Sequence, residues 1–293
     1  MHQHHHTHHS TLNIRIAFLL NLSFSVIELI GGLMTNSIAI LSDAVHDLGD
    51  TASIGFAWLM EKYARKKRND DLTYGYKRFS LVGAIVSSFV LLFGSVFILT
   101  QAISRLLNPQ TVHAEGMLGL ALLGITINGI AVFRLRKGQK INERVIFLHL
   151  LEDVLGWVAV LVVSILLLFF NIPILDPLLS IVITIFIISK IIPNIKQTLK
   201  IFLQYSPADY DLQELKKLIL KNELVDDVHD IHLWSLDGHY TVFSCHVSSN
   251  QNLSLVELED EKTKLKKILA THGIEHATIE FEPNTKVCKE CGL

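Results

Sequence analysis

Leu41-Ser42-Asp43-Ala44-Val45-His46-Asp47-Leu48-Gly49-Asp50 places four ionisable side chains inside a stretch otherwise apolar enough to cross a bilayer. On an α-helix Asp43, His46, Asp47 and Asp50 fall at i, i+3, i+4 and i+7, so they form one polar stripe along an apolar rod. Carboxylates near the middle of a bilayer are costly, face a bundle interior and mark paths for ions or protons. His46 and Asp50 stand one turn apart. Phe147-Leu148-His149-Leu150-Leu151-Glu152-Asp153 repeats that spacing with His149 and Asp153. Two helices that each offer an imidazole and a carboxylate supply four ligands, the number a tetrahedral zinc ion takes. Asp43, Asp47 and Glu152 flank the four as outer partners, water-exposed groups or interhelical hydrogen-bond formers.

The whole chain fits a membrane setting. Of its 293 residues 50% are hydrophobic and 18% charged, and the mean hydropathy is +0.40, too apolar for an ordinary soluble protein of this length. A net charge of -2 argues against a nucleic-acid partner. Three cysteines, two of them in Cys288-Lys289-Glu290-Cys291, do not make a disulfide framework; the close pair reads as thiolate metal ligands in a reducing compartment. The N-terminus lacks the pattern of a cleavable signal peptide, so the first apolar segment is expected to be retained. Ahead of it lies a histidine tract, residues 1–10, able to bind transition metals through neutral imidazole. Its interruption by Gln3 and Thr7 favours a native segment over an expression tag.

Six apolar segments follow, at about 14–33, 38–60, 81–103, 117–133, 145–170 and 174–192, each near the ~20 residues a spanning helix needs. Arg65, Lys66, Lys67, Arg68, Lys77 and Arg78 lie between the second and third. Arg134, Arg136, Lys137, Lys140 and Arg144 lie between the fourth and fifth, whereas Thr35-Asn36, the stretch 106–116 and Asn171-Ile172-Pro173 carry no lysine or arginine. The positive-inside rule then puts both termini in the cytoplasm. From about Ser206 the composition becomes that of a soluble domain. Helical spacing over 211–221 and 256–272, and strand patterns over 228–235, 240–248 and 277–282 with a turn at Asp237-Gly238, give the order α-β-β-α-β. That order predicts a ferredoxin-like or metallochaperone-like α+β sandwich, its helices on one face of a small antiparallel sheet. The expected organisation is a histidine-rich cytosolic tail (1–13), a six-helix transmembrane domain (14–205), a cytosolic α+β regulatory domain (206–284) and a Cys-x-x-Cys tail (285–293).

The paired His-x-x-x-Asp motifs on the second and fifth segments, with Ser37-Ile38-Ala39-Ile40-Leu41-Ser42-Asp43-Ala44 before the first of them, resemble the zinc-transporting branch of the cation diffusion facilitator family. Tyr74-Gly75-Tyr76-Lys77-Arg78, Asp176-Pro177 and His229-Asp230-Ile231-His232-Leu233-Trp234-Ser235 also resemble that family, and the resemblance runs from about residue 14 to 282. The chain departs from it at Ser80, where many members carry an acid, and in lacking a histidine-rich loop between the fourth and fifth helices. The resemblance implies an intramembrane site at His46, Asp50, His149 and Asp153, zinc ligands in the cytosolic domain at His229, His246 and Glu282, and a homodimer. Cys288 and Cys291 have the spacing of half a zinc knuckle. His276 is a candidate to supply a third ligand there, and an N-terminal histidine of a partner subunit a fourth. His232 reads instead as a packed or hydrogen-bonded histidine.

The function expected from this is Zn2+ efflux in exchange for protons, in the plasma membrane if the source is prokaryotic. Imidazole and carboxylate bind the metal only when deprotonated, so the two cations compete for one set of groups. Two nitrogens and two oxygens suit zinc, with cobalt and cadmium as competitors; exporters of iron or manganese would favour more oxygen. A membrane-anchored zinc sensor using only the cytosolic sites is a rival reading. An intramembrane metalloprotease is not, because Leu148-His149-Leu150-Leu151-Glu152 lacks the His-Glu-x-x-His arrangement. No enzymatic activity is expected.

Overall fold

The structure, a computed structural model, describes residues 7–64, 66, 68–135, 141–170, 172–249 and 254–283, without side-chain detail in parts of α1, α2, α4 and α5. Six long helices come first: α1 (Thr7–Thr35), α2 (Ile38–Ala64), α3 (Phe79–Leu107), α4 (Ala114–Leu135), α5 (Ile141–Phe169) and α6 (Leu175–Phe202). Each covers one of the six expected apolar segments. Among the described residues, five hold stretches long and apolar enough to cross a membrane. The exception, α2, is long enough at 27 residues but carries Asp43, Asp47 and Asp50 within a span's length. Large apolar side chains such as Phe93, Phe97, Phe133 and Phe169 stand exposed on these helices, as they do where lipid is the solvent.

The chain divides into two compact units, residues 1–62 with 83–195, and residues 63–82 with 196–293. In the first, hydroxyls and small residues let the helices approach. Ser42 Oγ and Thr184 Oγ1 are 2.6 Å apart between α2 and α6. Gly124 lies so close to the buried Trp157 that a Cβ there would come within 2.3 Å of the indole, which seats α5 on α4 one turn beyond Asp153. The start of α2 is capped from another helix. Asp176 at the head of α6, fully buried, accepts hydrogen bonds from Ser37 Oγ at 2.5 Å, Ile38 N at 2.8 Å and Ala39 N at 3.3 Å. It thereby satisfies donors that a helix start leaves unpaired and anchors the polar stripe of α2.

The second unit contains α7 (Leu212–Ile219), β1 (Asp227–Ser235), β2 (Thr241–Ser249), α8 (Leu255–Thr271) and β3 (His276–Pro283), the expected α-β-β-α-β order. Asp211 caps α7, and Ser254 with Glu257 forms a capping box at α8. Gly238 takes φ +94° in the β1–β2 turn. The apolar faces of both helices and the sheet close over Leu215, Ile219, Val228, Phe243, Leu265 and Leu269. One expectation is corrected. The sheet, in order β1-β2-β3, is mixed: β1 and β2 are antiparallel, but β2 and β3 run parallel. The reason is α8, which carries the chain back along the sheet before β3 begins, so the two strands it joins share a direction.

Candidate metal centres

The stripe of α2 faces α5. His149 Nε2 lies 3.0 Å from Asp50 Oδ2, and His46 Nε2 lies 3.8 Å from the same oxygen. The two imidazole rings meet edge to face with centroids 6.0 Å apart. Ligand atoms of His46, Asp50 and His149 all fall within 4.8 Å of one another. Asp153 does not join this trio; it converges instead with His46 and Asp47. The cause is helix direction. Asp50 faces His149, His46 faces Asp153, and Asp43 Oδ1 lies 4.0 Å from where a Cβ on Gly156 would stand, an antiparallel ladder. Each histidine therefore meets the other helix's carboxylate, and His46, also 3.8 Å from Asp50 Oδ2, is common to both trios.

The outer acids differ among themselves. Asp43 and Asp47 are buried, and Asp47 takes part in the second trio. Glu152 belongs to neither trio and pairs with Lys190 of α6. Sequence reasoning passed over Lys190 and, more consequentially, Glu28 of α1. Glu28 is 1% exposed, and neither carboxyl oxygen has a hydrogen-bond partner. A lone acid inside the apolar run 14–33 was the signal for it. His46 Nδ1 is likewise buried and unpartnered.

A further cluster forms on the sheet. His229 and His246 face each other across β1 and β2, with ring centroids 5.7 Å apart. Ser248 pairs with Glu282 in the parallel register, which brings the Glu282 carboxylate to 2.9 Å from His246 Nδ1 and 3.5 Å from His229 Nε2. Those two ring nitrogens are buried without a hydrogen-bond partner. Nitrogen lone pairs that converge with a carboxylate suit a divalent metal. Asp230 was not foreseen. The ladder is irregular between His229 and His232, Asp230 takes φ +47° there, and its carboxylate lies 3.7 Å from His246 and 3.1 Å from His232. His232 is hydrogen-bonded, as expected, but its side chain is 52% exposed rather than packed.

Burial opposes ionisation of Asp227, but the Lys216 ammonium at 3.0 Å, the Val228 N–H and His229 together hold its carboxyl below the usual range. Burial pushes the Cys245 thiol up to about 12, so it stays protonated and is a poor metal ligand. His276 stands at the far end of β3 from Glu282, opposite Val242 and against the Tyr74 ring; it does not join the cluster. Cys288 and Cys291 lie outside the described residues, as do the side chains of the histidine tract.

Residues 14–203 match the family described as cation efflux transmembrane domain, and residues 207–284 match the cation efflux protein cytoplasmic domain. A cadmium, cobalt and zinc/H(+)-K(+) antiporter of Bacillus subtilis is 32% identical over 94% of this chain and 91% of its own length. A metal cation efflux system protein, CzcD, of Cupriavidus metallidurans is 31% identical over 96% and 89%. A zinc transporter, ZitB, of Pectobacterium atrosepticum is 32% identical over 95% and 88%. With apolar helices enclosing paired imidazoles and carboxylates, and with both family domains matched in order, the chain belongs to the cation efflux, or cation diffusion facilitator, family of membrane transporters.

Proposed function

We propose that this transporter expels Zn2+ from the cytoplasm in exchange for protons, using His46, Asp50, His149 and Asp153 as the groups that grip the ion within the membrane. The observation that carries the reading is the convergence of His46, Asp50 and His149 within 4.8 Å, inside helices otherwise built for lipid. Imidazole with carboxylate is a zinc-selecting donor set, and cobalt and cadmium are the natural competitors. The names borne by the Bacillus and Pectobacterium relatives support both the metals and the proton coupling.

The physical step is a competition. At cytoplasmic pH neutral imidazole and ionised carboxylate bind the metal; on a more acidic far side protons occupy the same lone pairs and the ion leaves. Rocking of helices exposes the groups to each side in turn. Both termini lie in the cytoplasm, as the basic connections argue, and in a prokaryote the membrane is the plasma membrane. The working unit is a homodimer, a reading supported by the match of residues 207–284 to the cytoplasmic domain of cation efflux proteins. His229, His246 and Glu282 bind zinc there in a resident, regulatory role, supported by the convergence of the Glu282 carboxylate with the two ring nitrogens. The Cys288–Cys291 pair and His276 are retained as ligands of a separate tail site shared with a partner's N-terminal histidines.

The test is metal-resolved uptake by vesicles holding the purified protein under an imposed pH gradient. Zinc uptake is expected to collapse when the gradient is dissipated and to be lost in Asp50→Ala. Uptake indifferent to the gradient would remove proton exchange; Asp50→Ala vesicles that lose transport while soluble-side zinc binding persists would set aside the sensor reading.

A further inference from the structure

Resting on the export reading, we infer that Glu152 of α5 and Lys190 of α6 form the cytoplasmic gate of the metal path, where an incoming divalent cation takes the Glu152 carboxylate from the Lys190 ammonium and passes on to His149 and Asp50. The two side chains are ion-paired, and both lie within the apolar spans 147–169 and 175–202. Neither belongs to a metal-ligating trio among the described residues. The Glu152 side chain is 39% exposed and that of Lys190 47%. Charge within a span faces the bundle interior or a watered cavity rather than lipid, so this exposure marks a crevice that water enters.

The pair stands beside the transport ligands. Ser37 Oγ meets Asp176 and Ser42 Oγ meets Thr184, so α2 and α6 run side by side in the same direction. From the Ser42–Thr184 contact, Asp50 is about 12 Å and Lys190 about 9 Å farther toward the cytoplasmic ends, by the rise of a helix. Lys190 is accordingly among the charges that act on Asp50. On α5 Glu152 follows His149 by three residues, roughly 60° round the helix, and it is among the charges that act on Asp153. A carboxylate open to water and one step from His149 is a first ligand for a divalent cation. An ammonium on that carboxylate opposes the ion twice, by occupying its oxygens and by repelling like charge where the dielectric is lower than in bulk water. Glu152 therefore captures the ion only briefly, and the returning ammonium drives it onward. The Phe186 ring, its centroid 4.5 Å from Lys190 Nζ, gives the displaced ammonium a place to rest.

The experiment follows Zn2+ uptake by inside-out vesicles that hold the full-length protein. Glu152→Gln, which keeps the shape and removes the charge, is expected to raise KM about fivefold or more with kcat within about twofold. Lys190→Gln leaves the carboxylate unopposed, so KM is expected to move the other way, down about threefold or more, and kcat to fall with it because the ion lingers at Glu152. A pair that only braced α5 against α6 would lose the same contact in both variants, and KM would shift in one direction. Lys190→Cys covers the case in which a neutral variant fails to fold, since charge is added to the purified protein by a methanethiosulfonate reagent, with the wild-type chain as the reagent control. Ethylammonium there is expected to raise KM toward the wild-type value and ethylsulfonate to leave it low. KM shifted in the same direction in Glu152→Gln and Lys190→Gln, or unchanged in both, would overturn the inference, as would a KM in labelled Lys190→Cys that ignores the sign of the added charge. Wild-type vesicles that carry no zinc would fail the export reading itself; wild-type vesicles that carry zinc beside variants of unchanged KM would fail only the gate.

Discussion

At Asp50 one oxygen, Oδ2, faces both imidazoles, 3.0 Å from one and 3.8 Å from the other. Single side chains elsewhere carry separable predictions. Cys245 is buried and its thiol is pushed up to about 12, so alkylating reagent at neutral pH should leave it unmodified, by peptide mass mapping, until denaturant is added. Asp227 titrates below the usual carboxylate range. Its pairing with Lys216 is therefore fully present above that range and is lost as pH falls through the lowered value. Because the Asp227 side chain is half exposed, Lys216→Ala should cost about 0.5 kcal/mol or less at neutral pH and nothing once Asp227 is protonated. A pH series of unfolding curves checks the sign.

Between elements, the ladder that joins α2 to α5 and the cap that Asp176 places on α2 decide where the candidate ligands stand. The periodicity of α2 shows that Asp43, His46, Asp47 and Asp50 share a stripe; it says nothing of what lies opposite. Antiparallel packing of two His-x-x-x-Asp helices sets each imidazole against the other's acid, with His46 common to both groups of three. Asp176→Ala would strand Ser37 Oγ, Ile38 N and Ala39 N in a buried place. The expected loss is about 1–3 kcal/mol, read as a lower unfolding temperature in detergent. Asp176→Asn, which keeps an acceptor oxygen, should lose less, and equal losses would show that the cap is not what matters.

For the molecule as a whole, zinc binding at the sheet should be visible as stability. An ion that binds only the folded form at about 100 times its dissociation constant adds about 2.7 kcal/mol, so zinc should slow hydrogen exchange in β1, β2 and β3. His246→Ala should abolish that protection and His276→Ala should not, because His276 is at the other end of β3. Much of this was legible beforehand. Spans must be apolar to enter lipid, so all six helices could be marked, and strand alternation with a Gly turn marked the α-β-β-α-β order. The two His-x-x-x-Asp pairs stood out because charge is so costly in a bilayer. The direction of β3, the turn of Asp230 toward His246, the pairing of Glu152 with Lys190 and the burial of Glu28 against α2 were not legible. Local pattern determines which face of an element a residue occupies and how much water it tolerates. Which face of another element it meets depends on the direction, phase and register of packed neighbours, and only the tertiary structure decides those.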